Sequence, residues 1–471
     1  LPISEKINLN DQKVYENVFQ NGNFCGTFQF TNNGAKKFCM EAKPTNIVDI
    51  AAITSIYRPG PLSANVHTKY IEAKNDPTSV QYVHDLVREV TQETYGFIVF
   101  QEQLSLLAHK LGKDITLDEG NELRKVLTKK GTGKEAQVKE KLYGKFIGGC
   151  KEKGITETDA INLWKTMEFF SGYGFNLSHA VCYSILSYQC AYLFHYYPAE
   201  WLAAFLDKEP EDRKEAAIAT AKSFGFTVRR LDINSSGVKW EVDANDPKTL
   251  IQPLSSIKGL GETAVEQIMK YRPFKTVEEV LFHPEIVYSK LNKKALDSLT
   301  RSEAMNSLVD NRFTGLKHFW SACVVDRPKT PKKLIENIEK YKPEGDFTLE
   351  EKIDNLVSLS GIYPISLVVD PQIIKRLEEK YIPAVGDYEE ELGEVVWFVP
   401  RNIIEKKTKN GKIYWVLEVT DTTNKITQIK CWGIDPKKDK VWTNRPYLGK
   451  LQHDDWGFST RSIKHTFKLL G

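Results

Sequence analysis

The chain has 471 residues, of which 41% are hydrophobic and 27% charged, and its formal net charge is +3. This composition is typical of globular proteins, and the length exceeds what one hydrophobic core usually covers, so about three domains are expected. No segment approaches the roughly 18 uninterrupted apolar residues of a membrane span, so we expect neither a membrane-spanning helix nor a membrane partner. The near-neutral charge by itself indicates no class of partner.

The sequence starts at Leu1 rather than at methionine, which indicates a processed product, a fragment or a renumbered chain. Its seven cysteines include no Cys-x-x-Cys pair, so we expect free thiols in a reducing compartment rather than zinc ligands.

Residues 1–210 have a largely helical pattern. Asn10 and Asp11 precede the first apolar positions and predict a helix N-terminus. Between Ser178 and Leu206, apolar residues recur at spacings of four, three and four, and Tyr197-Pro198 ends that helix. Such an apolar stripe indicates packing.

The pattern then changes three times. Residues 211–251 are mixed, with a turn at 232–237 and a short predicted strand at 238–242. Two short helical units follow, then a proline-containing linker and a charged helical segment. The last eighty or so residues have aromatic and β-branched runs at 395–399, 414–419 and 426–432, with a hairpin turn at Asn410-Gly411. A multidomain, mainly α chain ending in a small β-barrel or sandwich is predicted.

Four groups of residues have the chemistry of a binding site. In the first, Pro59 and Pro61 stiffen the backbone after Arg58, and Gly60 permits a turn. A stiff loop can aim one guanidinium at a fixed point, which suits bidentate phosphate binding. The alternative is an ordinary corner between a helix and a loop.

The second group is a run of four cations over seven positions: Arg124, Lys125, Lys129 and Lys130. From residue 124 to residue 153 there are ten Lys or Arg and three Glu, so the net charge is 10 − 3 = +7. This excess favours a polyanionic partner, and a solvated helix face is the alternative.

The third group lies in residues 172–179, where two glycines permit close backbone approach. A ring and hydrogen-bonding side chains that suit a nucleoside follow at Tyr173, Asn176, Ser178 and His179. Ser178 is also predicted to be the N-cap of the helix that follows.

The fourth group is a hairpin at residues 257–262, in which Gly259 and Gly261 alternate with hydrophobic residues before a helix. Exposed backbone N–H groups at a helix N-terminus bind DNA phosphate without reading sequence, and Lys258 lies beside them. A degenerate second unit at 291–299 contains Lys293 and Lys294. A helical hairpin used only for packing is the alternative.

Basic residues also surround the predicted C-terminal hairpin, close to Tyr414 and Trp415. They are Lys406, Lys407, Lys409 and Lys412. Cations beside aromatic rings suit a single nucleic-acid strand, although many such barrels bind protein instead.

The segments 55–62, 93–103, 170–180 and 257–262, in this order, resemble the alpha subunit of bacterial DNA polymerase III, in the branch with Tyr-Arg-Pro-Gly-Pro. This C-family resemblance begins near Phe24 and extends to the C-terminus. It implies fingers at 1–210, a connecting segment at 211–251, tandem helix-hairpin-helix units at 252–325, a linker and helical segment at 326–387, and an oligonucleotide-binding (OB) barrel at 388–471.

The resemblance also implies roles. The residues implied to face an incoming dNTP are Arg58, Arg124, Lys125, Tyr173, Asn176, Ser178 and His179. The residues implied to bind DNA are Lys129, Lys130, Lys258, Gly259, Gly261, Lys293, Lys294, Lys407, Lys409 and Tyr414. Lys125 stands where the family has arginine, and Leu177 where it has lysine, so two phosphate contacts differ.

Nucleotidyl transfer uses carboxylates that hold two metal ions about 4 Å apart. The sequence has no Asp-x-Asp pair, and Asp454-Asp455 would point to opposite faces of a strand. The resemblance therefore implies that a palm-bearing partner chain holds the catalytic aspartates and two Mg²⁺ ions, and that this chain has no catalytic residue or metal ligand. A clamp-binding motif of the Gln-x-x-Leu-Phe kind was not found, so a sliding clamp stays an open partner.

Two hypotheses follow. In the first, the chain is the C-terminal part of a split or processed DNA-directed DNA polymerase that binds dNTP and primer–template DNA, in a bacterial cytoplasm or nucleoid or a virus-infected cell. In the second, it is a non-catalytic DNA-binding accessory or regulatory protein derived from the fingers. The nucleotide-facing residues favour the first hypothesis.

Overall fold

A computed structural model describes residues 4–127, 134–172, 174–210, 213–388, 394–454 and 457–470, without the side chains of residues 33 and 134. The described chain forms two compact units, Leu1–Pro198 and Ala199–Gly471. In the described residues no helix combines the length and the apolar character needed to cross a membrane.

The first unit is helical, as predicted. Its α-helices are α1 (Gln12–Val14), α2 (Asn33–Ala42), α3 (Ile47–Ile56), α4 (Pro59–Ser63), α5 (Val66–Asn75), α6 (Asp85–Thr91), α7 (Gln101–Leu111), α8 (Leu117–Leu127), α9 (Lys134–Glu152), α10 (Glu157–Ser171) and α11 (Leu177–Tyr196). A π-helical turn, Tyr15–Gln20, continues α1, and short 3₁₀ turns lie at Ser4–Lys6, Pro77–Ser79 and Gln92–Thr94. The predicted N-terminus at Asp11 is confirmed, because its side chain accepts a hydrogen bond from the Lys13 N–H.

Two hydrophobic cores hold this unit together. The first surrounds α3, nearly all of which is buried, and includes the packed rings of Tyr15 and Tyr188, whose centroids are 5.0 Å apart. Tyr188 belongs to the predicted apolar stripe of α11, so that stripe is confirmed as a packing face. The second core is formed by residues of the helices α6 to α10 and includes Phe146 and Trp164.

The second unit begins with helices and a small sheet. Its α-helices are α12, which begins at the unit boundary (Pro198–Lys208), α13 (Lys214–Ser223), α14 (Glu262–Tyr271), α15 (Val277–Leu281), α16 (Lys293–Arg301), α17 (Leu316–Trp320), α18 (Pro331–Tyr341), α19 (Leu349–Ser360), α20 (Ile365–Val368), α21 (Pro371–Glu379) and α22 (Ile463–Thr466). A π-helical turn, Ser321–Val325, follows α17. Short 3₁₀ turns lie at Leu254–Ser256, Asn306–Leu308, Lys342–Glu344 and Val385–Asp387.

A three-stranded sheet precedes the helical hairpins. Its strands are β1 (Thr227–Arg229), β2 (Glu241–Asp243) and β3 (Asp246–Ile251), with β3 in the centre. The predicted strand at 238–242 is partly wrong, because the strand begins only at Glu241 and Val238 is exposed. The proline linker is confirmed as a helix boundary, because α18 starts at Pro331, the helix position where a missing N–H costs nothing.

The C-terminal strands form a curled sheet, as the predicted OB-type barrel requires. They are β4 (Val395–Lys407), β5 (Ile413–Thr420), β6 (Thr427–Cys431), β7 (Tyr447–Lys450), β8 (Gln452–Asp454), β9 (Gly457–Thr460) and β10 (Phe467–Leu469). Their order is β10-β7-β4-β5-β6-β9-β8, and a bulge between Pro400 and Asn402 lets β4 pair with both β7 and β5. The mainly α fold with a C-terminal OB-like sheet is thus confirmed.

Candidate nucleotide- and DNA-binding sites

The loop between α10 and α11 is held against the start of α7. Phe175 pairs with Phe100 in a parallel β-bridge, and the Gln101 N–H donates to the Phe175 carbonyl at 2.9 Å. The Gln101 side chain donates to the Gly174 carbonyl at 2.9 Å. Two of the sequence segments, 93–103 and 170–180, therefore form one surface.

Glu102 fixes the next part of this loop. Its carboxylate accepts hydrogen bonds from the Asn176 side-chain amide at 2.7 Å and from the Leu177 N–H at 2.9 Å. A carboxylate beside the first turn of α11 also interacts favourably with the positive end of that helix. The loop geometry thus depends on Gln101 and Glu102, side chains to which the sequence analysis assigned no role.

Arg58 reaches this loop from a third segment. It is the exposed N-cap residue of α4, and Pro59 and Pro61 follow it in the first turn. Its guanidinium carbon lies 3.8 Å from the centroid of the Phe175 ring, a cation–π contact. Partial burial lowers the pKa of Arg58, although a guanidinium remains charged at neutral pH.

Arg124 approaches the same loop from α8. Its guanidinium donates to the Gln101 side-chain oxygen, and Gln101 in turn binds the Gly174 carbonyl. Lys125, the next residue, is exposed on α8. The side chains of Arg58 and Arg124, 66 positions apart in sequence, are therefore both held against one loop.

The cap of α11 differs from the prediction. Asn176, not Ser178, is the N-cap, and its side-chain oxygen accepts from the His179 N–H at 2.9 Å. An asparagine at this position competes successfully because its carbonyl oxygen reaches the N–H three residues on. Ser178 instead donates from its hydroxyl to the same oxygen at 2.7 Å, and His179 is exposed beside it.

The structure therefore brings together Arg58, Arg124, Asn176, Ser178 and His179 at the 174–177 loop and the start of α11. Tyr173, predicted to face the nucleotide, and Lys129 and Lys130, predicted to bind DNA, lie outside the described residues. Phe175 was missed by sequence reasoning because a phenylalanine in an apolar motif is more often a core residue than a platform for a cation.

A buried ion pair anchors the segment that leads into α7. Asp49 of α3 is fully buried and pairs with Lys74 of α5 at 3.0 Å. Asp49 also accepts hydrogen bonds from the N–H and hydroxyl of Thr45 and, at 3.0 Å, from the hydroxyl of Tyr95. Burial, and then the charge of Asp49, raise the pKa of Tyr95, so its hydroxyl stays protonated as a donor. Tyr95 thereby ties the segment that leads into α7 to the core.

The glycine hairpin in the second unit forms a separate candidate site. Gly259 has φ = +88°, a conformation that favours glycine, and Gly261 is the N-cap of α14. Both residues are exposed, and their N–H groups donate no hydrogen bond to any other described residue. The hairpin therefore presents unpaired donors at a helix N-terminus, as the sequence predicted.

Cations from both helical units lie at this hairpin. Lys258 is exposed next to Gly259, and its carbonyl accepts from the Ser298 hydroxyl of α16 at 3.2 Å. The side chain of Lys294, also on α16, passes 3.6 Å from the place where a Gly259 side chain would begin. Lys293 is different, because its ammonium donates to the Val325 carbonyl at 2.6 Å and thus supports the fold.

The second hairpin has no glycine, and its N-cap is Asn292, which accepts from the Ala295 N–H at 3.0 Å. The Leu291 carbonyl accepts from Arg327 at 2.8 Å, so the hairpin is tied to the segment that follows it. The first hairpin is thus the better phosphate-binding candidate of the two.

In the OB-like sheet, Tyr414 stacks on Trp432 with centroids 4.4 Å apart and planes 23° apart. Lys406 lies directly opposite Tyr414 on the neighbouring strand, and Lys407 and Lys409 are exposed further along the hairpin. Trp415, in contrast, is buried in the core of the sheet and is not available for stacking. The side chains of adjacent strand residues point to opposite faces, so Tyr414 and Trp415 cannot share one surface.

Within the described residues, no group of three or more His, Cys, Asp or Glu side chains could hold a metal ion. Asp454 ends β8, and Asp455 lies outside the described residues.

Family models match two regions of the chain. Residues 3–154 match the bacterial DNA polymerase III alpha subunit finger domain, and residues 225–315 match the helix-hairpin-helix motif. The second match includes the glycine hairpin with Gly259 and Gly261.

Curated relatives match most of the chain. The DNA polymerase III alpha subunit of Aquifex aeolicus is 32% identical over 98% of this chain and 39% of its own length. The corresponding subunit of Campylobacter jejuni is 32% identical over 83% of this chain and 31% of its length, and that of Thermus aquaticus is 34% identical over 65% and 25%. The chain thus spans about a quarter to two fifths of these relatives. By these matches it is a relative of the bacterial DNA polymerase III alpha subunit, with a finger region followed by a helix-hairpin-helix region.

Proposed function

We propose that this chain binds dNTP and primer–template DNA as the fingers-to-C-terminal part of a replicative DNA-directed DNA polymerase, and that it acts together with a palm-bearing chain. One observation carries the proposal. Arg58 and Arg124, from separate helices, are both held against the 174–177 loop through Phe175 and Gln101. Two cations fixed on one exposed loop suit a triphosphate.

The loop itself complements those cations. Asn176, Ser178 and His179 are exposed at the N-terminus of α11, where the Glu102 carboxylate already accepts the Leu177 N–H, so the two arginines rather than the helix end would attract the triphosphate. Their side chains can hydrogen-bond to a nucleoside, and Lys125 and Tyr173 complete the proposed dNTP site. A surface that only held DNA would have no evident use for this arrangement.

DNA contacts are assigned to the second unit. Lys258, Gly259, Gly261 and Lys294 would bind duplex phosphates without reading sequence, and Lys293 would act through the fold. On the OB-like sheet, Tyr414 with Lys407 and Lys409 would bind a single strand. Lys129 and Lys130 are proposed to contribute charge.

The chemical step needs groups that the described part of this chain does not offer. Two-metal catalysis requires clustered carboxylates, so we assign the aspartates and their two Mg²⁺ ions to the partner chain. A sliding clamp stays an open partner.

Primer extension tests the proposal. A labelled primer–template would be incubated with dNTP and Mg²⁺ and with this chain, the palm-bearing chain or both, and only the mixture should extend the primer. Arg88→Ala removes an exposed arginine from α6 of the same unit. It is the matched control for the loss of positive charge in Arg58→Ala and Arg124→Ala, and with the palm-bearing chain it should support normal primer extension.

Robust extension by this chain alone would show that it holds its own carboxylates. Tight primer–template binding without extension by any mixture would instead favour a non-catalytic DNA-binding accessory protein.

A further inference from the structure

Four aromatic rings form a row along the exposed side of α11. The ring of Phe175 meets His179 with centroids 5.1 Å apart, and His179 meets Tyr183 at 4.4 Å. Tyr183 then stacks on Phe28 at 5.2 Å, with the planes 26° apart. His179 and Tyr183 are four residues apart on one face of α11, and Phe175 lies immediately before the N-cap of that helix. We call these four residues the α11 aromatic row.

The last ring of the row is held outward by a tight turn. Phe28 is 38% exposed although its neighbours Thr27 and Phe30 are buried. The Phe30 N–H donates to the Thr27 carbonyl at 3.1 Å, and the Ser187 hydroxyl of α11 donates to the Phe28 carbonyl at 2.8 Å. The turn is therefore fixed at both ends, and the Phe28 ring is presented to the surface.

The row starts at the cation of the proposed nucleotide site. Phe175 carries Arg58 on its face, while His179 and Tyr183 are exposed further along α11. A cation followed by exposed rings is the arrangement with which proteins bind a single nucleic-acid strand, because the charge attracts phosphate and the rings stack on bases.

We propose that the α11 aromatic row binds the unpaired bases of a single DNA strand by stacking on Tyr183 and Phe28, next to the nucleotide site. The inference rests on the proposed function, since it takes the occupant to be a template strand. It adds a binding surface to the fingers that is separate from the glycine hairpin and from the Tyr414–Trp432 pair.

Leu186 provides an internal control. It lies three residues after Tyr183 and is 48% exposed, so it belongs to the same side of α11 but has no ring. A protein partner that covered this face would use its aliphatic surface as well as the rings. Stacking on bases would use the rings alone.

The experiment measures binding of a single-stranded oligonucleotide that contains 5-iododeoxyuridine. It uses the full chain with Tyr414→Ala and Trp432→Ala, so that the OB-like sheet contributes less to the signal. In this background Tyr183→Ala and Phe28→Ala should each weaken binding about five- to a hundredfold, while Tyr183→Phe and Leu186→Ala should bind normally. Photocrosslinks should map to peptides containing Tyr183 or Phe28.

Salt dependence separates stacking from charge. Stacking releases few counterions, so Tyr183→Ala should leave the slope of log affinity against log salt unchanged, whereas Arg58→Ala should reduce it. If Tyr183→Ala does not fold, the inference is tested instead by the positions of the photocrosslinks on the chain in which α11 carries no substitution.

Unchanged affinity in Tyr183→Ala and Phe28→Ala, an equal loss in Leu186→Ala, or crosslinks confined to other peptides would overturn the inference. The proposed function would survive these results if the chain still bound primer–template and supported extension with its partner. It would fail separately if no primer–template were bound at all.

Discussion

The proposed nucleotide site of the first unit and the glycine hairpin of the second unit differ in what they present to a ligand. The first presents side chains from four helices or loops, held by Gln101, Glu102 and Phe175. The hairpin presents mainly the backbone N–H groups of Gly259 and Gly261, with Lys258 and Lys294 beside them. A side-chain site therefore depends on long-range packing, and a backbone site depends on local conformation.

The comparison predicts different sensitivities. Substitution of one supporting residue outside the first site should disturb that site, because each of its side chains is held in place by contacts with other residues. The hairpin should respond mainly to changes within its own six residues. The following predictions test this contrast, from the largest expected effect to the smallest.

Asp49→Ala should destabilise the first unit by about 3–5 kcal/mol. The substitution leaves Lys74 buried without its partner, and breaking a buried pair costs about this much. Hydrogen exchange measured by mass spectrometry on peptides from α3 and α7 would report the local opening free energy.

The matched control is Glu41→Ala. Glu41 pairs with Lys37 at 3.9 Å on the surface, with the two side chains 47% and 78% exposed, so its loss should change stability by less than about 0.5 kcal/mol. Equal effects of the two substitutions would show that the Asp49 network does not support the site.

Arg58→Ala and Arg124→Ala should each weaken nucleotide binding by about ten- to a hundredfold. A lost charge-assisted hydrogen bond to phosphate costs roughly 1.5–3 kcal/mol. The apparent KM for dNTP, measured by primer extension with the palm-bearing chain, should rise by this factor while duplex affinity stays constant.

Arg124→Lys sharpens the result. It keeps the charge but loses the planar fork that contacts Gln101, so an intermediate KM is expected. If Arg88→Ala raises the KM as much as Arg58→Ala does, general charge rather than the held geometry would explain the effect.

Gly261→Val should weaken duplex binding by about tenfold without unfolding the hairpin. Gly261 has φ = −74°, and a Cβ there would meet no atom within 4 Å, so the new side chain fits the fold but covers the N–H donors. Loss of one phosphate contact should reduce the binding free energy by roughly 1.5 kcal/mol, the lower end of the range for hydrogen bonds to charged groups. The loss should be the same for unrelated duplex sequences in a fluorescence-anisotropy titration, because backbone contacts read no bases.

Gly259→Val is the comparison variant. Its φ of +88° and the Ser298 hydroxyl 3.1 Å from the new Cβ should destabilise the hairpin itself. A sequence-dependent loss in Gly261→Val would contradict the phosphate assignment.

Arg312→Met should lower the stability of the helix-hairpin-helix region by about 0.2–1 kcal/mol at pH 7, and less as the pH falls. Hydrogen bonds from Arg312 lower the pKa of Glu278 and the pKa of Asp310 below their ordinary values. Carboxylates with a lowered pKa stabilise the fold above their unfolded pKa values, and that contribution disappears as the pH falls through the lower, folded-state values.

Urea unfolding of both forms at pH 7 and pH 3 would measure this difference, and hydrogen exchange would locate it. A difference that is as large at pH 3 as at pH 7 would mean that Arg312 acts through packing on Phe313 rather than through its carboxylate partners.

Much of the fold could be predicted from local sequence because local rules decide it. The start of α18 at Pro331, the Asp11 cap, the glycine hairpin and the turn at Asn410-Gly411 each depend on backbone preferences of a few residues. The errors arose where neighbours compete. Asn176 rather than Ser178 caps α11, and strand alternation buries Trp415 while exposing the face of Tyr414.

The sequence by itself determined the finger-region motifs, the change from helices to a C-terminal sheet and the glycine hairpin at Gly259 and Gly261, because those follow from residue type and spacing. Only the tertiary structure decided that Arg58 and Arg124 are held against one loop, that Gln101 and Glu102 fix that loop, and that Phe28 extends the α11 aromatic row. Contacts between residues so far apart along the chain depend on how helices pack, and helix packing is a property of the whole core rather than of any short segment.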